Sequence, residues 1–119
     1  MKTLGVHVTT DPRALIAYAD TALRIEFGST RLKAVLIGPD HEVLATGGHA
    51  WENHLEGGLW SYTLDEAVAG LRGAYASLVA DVRERYDVTP TSYGSIGISG
   101  MMHGYLAFDA DDHLLAPFR

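Results

Sequence analysis

The sequence predicts an α/β domain with a mixed sheet: three antiparallel strands, then a long helix, then a strand parallel to an earlier one. Three observations carry this prediction. Two apolar runs, Leu23 to Phe27 and Leu32 to Ile37, flank a Gly28-Ser29-Thr30 bend as the arms of a β-hairpin do. Between Leu64 and Tyr86 apolar residues recur at three-and-four spacing behind a capping box, the pattern of a helix with one buried face. Tyr93 to Ser99 then reads as a short buried strand of small and β-branched residues, and a strand reached through a helix runs parallel to its partner.

Taken in order, residues 1–10 carry only a loose alternation of Leu4, Val6 and Val8, and are read as extended or disordered. Asp11 followed by Pro12 is an N-cap with proline at the first helical position, which predicts a helix of about two turns into Ala19. In the hairpin that follows, strand alternation puts Leu23, Ile25 and Phe27 on one face and Arg24 and Glu26 on the other. Gly38-Pro39-Asp40-His41 is a β-turn signature, so Glu42 to Gly47 should form a third strand beside the second and complete a meander. Gly47 to Tyr62 reads as a loop with two glycine pairs. Thr63-Leu64-Asp65-Glu66 opens the long helix, inside which Gly70 and Gly73 each cost roughly 1 kcal/mol relative to alanine and so predict a close neighbour at that turn. Its polar face, with Asp65, Arg72, Asp81 and Arg85, reads as solvated surface. After the strand ending at Ser99, Tyr105 to Asp109 and Leu114 to Ala116 suggest a small hairpin turning at residues 110–112.

Composition narrows the classes of function. A chain of 119 residues with 47% hydrophobic and 20% charged residues is one ordinary globular domain. Its net charge of −6 argues against nucleic acid or an anionic membrane as partner. Without cysteine there is no disulfide, thiolate or cysteine–zinc chemistry. Short apolar runs and an N-terminus without a signal-peptide pattern make a cytoplasmic protein the expectation.

The residues able to carry chemistry are few. Gly28 permits unusual backbone conformation or close approach, and Ser29 and Thr30 add hydroxyls and turn N–H groups beside Glu26. Such a tip suits phosphate oxygens or a hydrated metal ion, although by composition alone it is more often a plain turn. Trp51 and Trp60 either pack their loop onto the body or line a pocket for a flat apolar face such as a sugar ring. His49 and His54 lack a third ligand in register for a metal site. Neither a GxxxxGK[ST] loop nor a GxGxxG after a strand occurs, and Gly97-Ile98-Ser99-Gly100 has the wrong spacing for a nucleophile elbow. His103 follows the carboxyl end of a predicted strand, where ligands gather in open α/β sheets.

Together, the order acid-x-Gly-Ser-x-x-x-Lys in the first hairpin, a long helix, then Ile-Gly-Ile-Ser-Gly-x-Met-His-Gly resembles the N-terminal part of the FGGY family of carbohydrate kinases, in particular its xylulokinase-like members. The resemblance spans residues 22–118. It implies a ribonuclease H-like, actin-like ATPase fold, with residues 1–20 as an N-terminal extension carrying the short helix and 21–119 as a partial kinase domain. It places Glu26 near Mg2+, Gly28, Ser29, Thr30 and Lys33 on the phosphate side of ATP, and Met102, His103 and Gly104 against the sugar hydroxyls. Asp109 to Pro117 resembles the family stretch that comes next.

Two departures stand out. Glu26 replaces the usual aspartate, lengthening the acid by one methylene, and Met101 stands where xylulokinase-like members often have glutamine. Members of the family are also several times longer, with the catalytic aspartate and most of the ATP site beyond residue 119. The chain is therefore expected to be the N-terminal portion of an ATP-dependent kinase for a ketose or related polyol, inactive without the C-terminal remainder of its own chain. The alternative is a non-catalytic sugar- or nucleotide-binding regulatory module of the same fold. A homodimer is left open.

Overall fold

The structure is a computed structural model that describes residues 11–101 and 104–116. The readings made for residues 1–10, Met102, His103 and residues 117–119 lie outside them. Helix α1 (Pro12–Ala17) begins as expected, with the Asp11 carboxylate accepting the Arg13 N–H at 3.2 Å, and it buries Leu15 and Ile16. Strands β1 (Ala22–Phe27), β2 (Arg31–Ile37) and β3 (Val43–Ala50) form the antiparallel meander. A small hairpin of β4 (His54–Glu56) and β5 (Leu59–Ser61) follows, then α2 (Leu64–Tyr86) and β6 (Ser95–Ser99), which pairs in parallel with β1. The sheet order is β3-β2-β1-β6. The expected mixed α/β architecture is present, and among the described residues no helix is long and apolar enough to cross a membrane.

One face of the sheet is the core. Leu23, Ile25, Leu32, Ala34 and Leu36 point toward Ala74, Leu78 and Val82 of α2 and are almost completely buried. Each such leucine or isoleucine contributes about 1.5–3 kcal/mol on leaving water. The strand periodicity of two and the helix periodicity of 3.6 thus meet in one apolar layer.

Where the structure departs from expectation, packing explains why. Strand β3 runs on past Gly47, where the third strand was expected to end, through Gly48 to Ala50. A Cβ on Gly47 would stand 2.3 Å from the Leu78 nitrogen and 2.6 Å from the Ala74 carbonyl oxygen, so the helix backbone rides directly on the strand there. Gly70 and Gly73 have the close neighbour their presence predicts: the His49 ring, with Leu32 also against Gly70. The loop reading of Gly47 to Tyr62 missed both the end of β3 and the β4–β5 hairpin, whose turn uses Gly57 and Gly58 at φ 58° and 81°. Asp81, from the helix face read as solvated, joins Ser77 and Tyr86 in covering the outer edge of β3. Asp81 accepts the Thr46 N–H at 2.9 Å, Ser77 accepts the Gly48 N–H at 3.2 Å, and the Tyr86 hydroxyl donates to the Leu44 carbonyl.

At the other edge, β6 is not the buried strand predicted. Ile96 and Ile98 are 60% and 64% exposed, because α2 lies over β3 and β2 and does not reach that far. The segment after β6 forms a turn rather than a regular hairpin. Phe108 and Leu114 make a single bridge, and the Asp109 carboxylate accepts the N–H groups of Asp111 and His113.

Candidate active site

Because β1 and β6 are parallel, their carboxyl ends lie side by side, with Glu26 level with Ser99. The Gly28-Ser29-Thr30 bend caps this end and is held from behind through all three of its carbonyls. Trp51 Nε1–H donates to the Gly28 oxygen at 2.8 Å, the Tyr62 hydroxyl donates to the Ser29 oxygen, and the Trp51 backbone N–H donates to the Thr30 oxygen at 3.1 Å. In a trans peptide the C=O and the following N–H point in opposite directions. With the Gly28 and Ser29 carbonyls turned inward, the N–H groups of Ser29 and Thr30 are turned outward, and neither meets an acceptor among the described residues. The bend is therefore a small array of anion-seeking donors on a fixed backbone.

The sequence explains this rigidity. Trp51 is 7% exposed, meets Phe27 edge to face at 6.2 Å and lies 4.4 Å from the Tyr62 ring. Of the two readings of the tryptophans, Trp51 packs the body and Trp60 stays 61% exposed. Gly28 is required here for space and not for an unusual φ, since a Cβ would come within 2.7 Å of the Arg31 carbonyl oxygen. The roles of Trp51 and Tyr62 as supports were not legible from spacing, since only the fold brings both behind the bend.

Beside the bend, Glu26 and Lys33 stand directly opposite each other in the β1–β2 register, on the face away from α2. They border a groove of about 340 Å³ with Arg24, Val35, Gly97 and Ser99. The Glu26 carboxylate reaches to 4.0 Å from where a Gly28 Cβ would stand, so the acid lies against the bend. Among the described residues Glu26 and Lys33 form no ion pair with each other or with anything else.

Of Met102, His103 and Gly104, Gly104 is the one described. Its N–H closes a turn onto the Met101 carbonyl at 3.1 Å. With Phe27, Trp51, Leu64, Ala67 and Met101 it lines an apolar cavity of about 200 Å³ next to the bend. The fold therefore brings Gly104 to the same end of the sheet as the bend.

His54 is engaged by the start of α2. Its Nε2 lies 2.8 Å from the Glu66 carboxylate, which also accepts the Thr63 hydroxyl at 2.7 Å, while Thr63 Oγ1 accepts the Glu66 N–H at 3.1 Å. The hydrogen bond to Glu66, and then the charge of Glu66, raise the His54 pKa; the same contact is the largest cause that lowers that of Glu66. Elsewhere, burial, followed by the bond to the Tyr75 hydroxyl at 2.7 Å, pushes the Tyr93 phenol well up.

No family model matches the sequence. No curated protein matches it either. Solved structures do. A xyloylose kinase from Brucella ovis is similar at 22% identity and TM-score 0.67, over 82% of this chain and 20% of that one. A ligand-bound xylulose kinase from Lactobacillus acidophilus is similar at 17% identity and TM-score 0.62, over 82% and 19%. A gluconate kinase from the same organism is similar at 18% identity and TM-score 0.60, again over 82% and 19%. The chain spans about a fifth of the length of these structures. At such identities the likeness establishes the fold alone.

Proposed function

We propose that this chain is the N-terminal part of an ATP-dependent carbohydrate kinase that transfers the γ-phosphoryl group to a hydroxyl of a ketose or related polyol. The observation that carries this reading is the bend: two outward N–H groups on a braced backbone, with an unpaired acid and base beside them and Gly104 on the same flank. Phosphoryl transfer needs positioning and charge stabilisation more than covalent chemistry from the protein, and this end of the sheet offers both. In this reading Gly28, Ser29, Thr30 and Lys33 hold phosphate oxygens, and Met102, His103 and Gly104 meet the sugar hydroxyls.

Mg2+ fits the donor set. The Glu26 carboxylate and the hydroxyls of Ser29 and Thr30 are hard oxygen ligands, and Mg2+ is typically held by one or two carboxylates together with substrate phosphates. When bound, it would neutralise charge on the transferring group. The chain's own part is to fix the phosphates and the sugar at one end of the sheet. The general base and the remaining nucleotide contacts are assigned to the rest of a longer polypeptide, so the chain alone is inactive.

The test is ADP release by the chain joined to its downstream coding sequence, across a panel of pentoses, hexoses and polyols. Sugar-dependent release from the longer protein and none from the chain alone support the proposal, and no release with any sugar overturns it. Glu26 in place of aspartate favours the second reading, a binding module without chemistry. Micromolar sugar or nucleotide binding by the isolated chain in calorimetry would decide for that module.

A further inference from the structure

The sheet face away from α2 has a charge balance unlike that of the rest of the chain. The sequence holds 9 Lys and Arg against 15 Asp and Glu. On this face Arg24, Arg31 and Lys33 stand with the single acid Glu26. None of the three cations has a hydrogen bond or ion pair among the described residues. Acidic proteins ordinarily neutralise neighbouring cations cheaply, so a cluster left unpaired beside a groove is a place for an anion from outside.

The two arginines are also seated. Gly97 is the β6 partner of Arg24, and a Cβ there would fall 2.8 Å from Arg24 Nη1. The guanidinium thus lies across the bare Gly97 backbone while the residue stays exposed to solvent. Arg31 lies over Gly48 of β3 in the same way, 2.8 Å from Cζ to where a Cβ would be. Seating an arginine in this manner lowers the entropy it loses on gripping a ligand, and its planar fork suits phosphate oxygens. Arg24, Glu26, Lys33, Gly97 and Ser99 line the groove, whereas Arg31 does not. Arg24 is two residues back from Glu26, about 7 Å along the strand. That offset places a fork of donors well behind the bend, beyond the reach of a single phosphate held there.

We propose that this groove binds a polyphosphate chain, with Arg24, seated on Gly97, holding a phosphate unit behind the one at the Gly28–Thr30 bend. Arg24 belongs to neither of the two motifs. The inference rests on the phosphate reading of the bend, and it adds the direction of the phosphate chain, along β1 toward Arg24.

The test is calorimetric titration of the 119-residue chain with inorganic tripolyphosphate and with orthophosphate, at low and raised salt and without metal. The wild-type chain should bind tripolyphosphate more tightly than orthophosphate. Arg24→Ala should weaken tripolyphosphate about 10-fold, the worth of one charge-assisted hydrogen bond, and leave orthophosphate unchanged. Arg72→Ala, which removes an exposed cation from α2, should change neither. Equal tripolyphosphate binding by Arg24→Ala and wild type overturns the proposal, as do equal losses in the two variants, which would mean that net charge alone is being read. The outcome is separable from that of the kinase reading. Arg24-dependent tripolyphosphate binding with no sugar-dependent ADP release from the longer protein would sink the kinase and leave the groove. Sugar-dependent turnover with an ATP KM indifferent to Arg24→Ala would sink the groove alone.

Discussion

Trp51 shows how much one side chain can decide. Its ring closes the core behind the bend while its indole N–H holds the Gly28 carbonyl, and that bond keeps the Ser29 N–H turned outward. Trp51→Phe keeps an aromatic ring but leaves a part-buried carbonyl short of a donor, and should cost about 1–3 kcal/mol in urea unfolding. Amide exchange at Ser29 and Thr30 should speed up more than in α2, whereas equal acceleration everywhere would mean that Trp51 is only core. Glu26 and His103 belong to the same scale through their proposed roles. In the longer protein, Glu26→Ala should lower kcat with magnesium-ATP roughly 100-fold. His103→Ala should raise the sugar KM about 10-fold while changing kcat less. An unchanged sugar KM would remove His103 from the site.

At the scale of elements, two close approaches to α2 differ in what must give way. At Gly47 a Cβ meets helix backbone, which cannot move alone, while at Gly73 it meets the His49 ring at 2.6 Å, which can rotate. Gly47→Ala should therefore destabilise by about 1–3 kcal/mol or more, and Gly73→Ala by clearly less, its helix-propensity gain offsetting part of the cost. Equal midpoints for the two variants in denaturant would contradict this packing. The β4 hairpin is tied to the start of α2 by His54 and Glu66, and that link titrates. His54 has a raised folded pKa, so its contribution is full below its ordinary value near 6.5 and is lost as pH rises through the raised one. Glu66 has a lowered pKa, so its contribution is present above its ordinary value near 4.5 and is lost as pH falls through the lowered one. Protection of the hairpin amides should peak between those limits, and His54→Asn should remove the alkaline decline. Both groups are exposed, so the change belongs to local hairpin order and not to global stability.

For the whole molecule, the contrast between the two sheet edges matters most. Side chains from α2 occupy backbone groups along β3, while β6 shows solvent an uncharged strand with two exposed isoleucines. Bare apolar edges pair with other chains. The isolated chain should therefore scatter light increasingly with concentration, and Ile96→Thr with Ile98→Thr should reduce that scattering without shifting the unfolding midpoint. Scattering unchanged by the double substitution would show that the edge is not the sticky surface. The same edge bears on the proposed function, since a longer polypeptide would have β6 available for further strands.

How far the sequence went can be traced residue by residue. It determined α2 and its capping Thr63, the hairpin arms and their alternation, and the parallel return to β6, because local periodicity and caps are written in neighbouring residues. It also singled out Glu26 and the bend by their residue types, and Lys33 through the family resemblance. What it could not contain is anything set by contacts between distant segments. That the third strand continues past Gly47 through Gly48 to Ala50 was hidden, because paired glycines signal a turn unless a helix is known to press on them. That Ile96 and Ile98 are exposed was hidden, because apolar β-branched residues look buried until one sees that α2 stops short of them. Only the tertiary structure decided that Trp51 and Tyr62 hold the bend from behind, that Arg24 lies over Gly97, and that Gly104 comes to the carboxyl end of the parallel strands beside the bend. Each of these depends on strand order and register, which bring together groups that lie tens of residues apart along the chain.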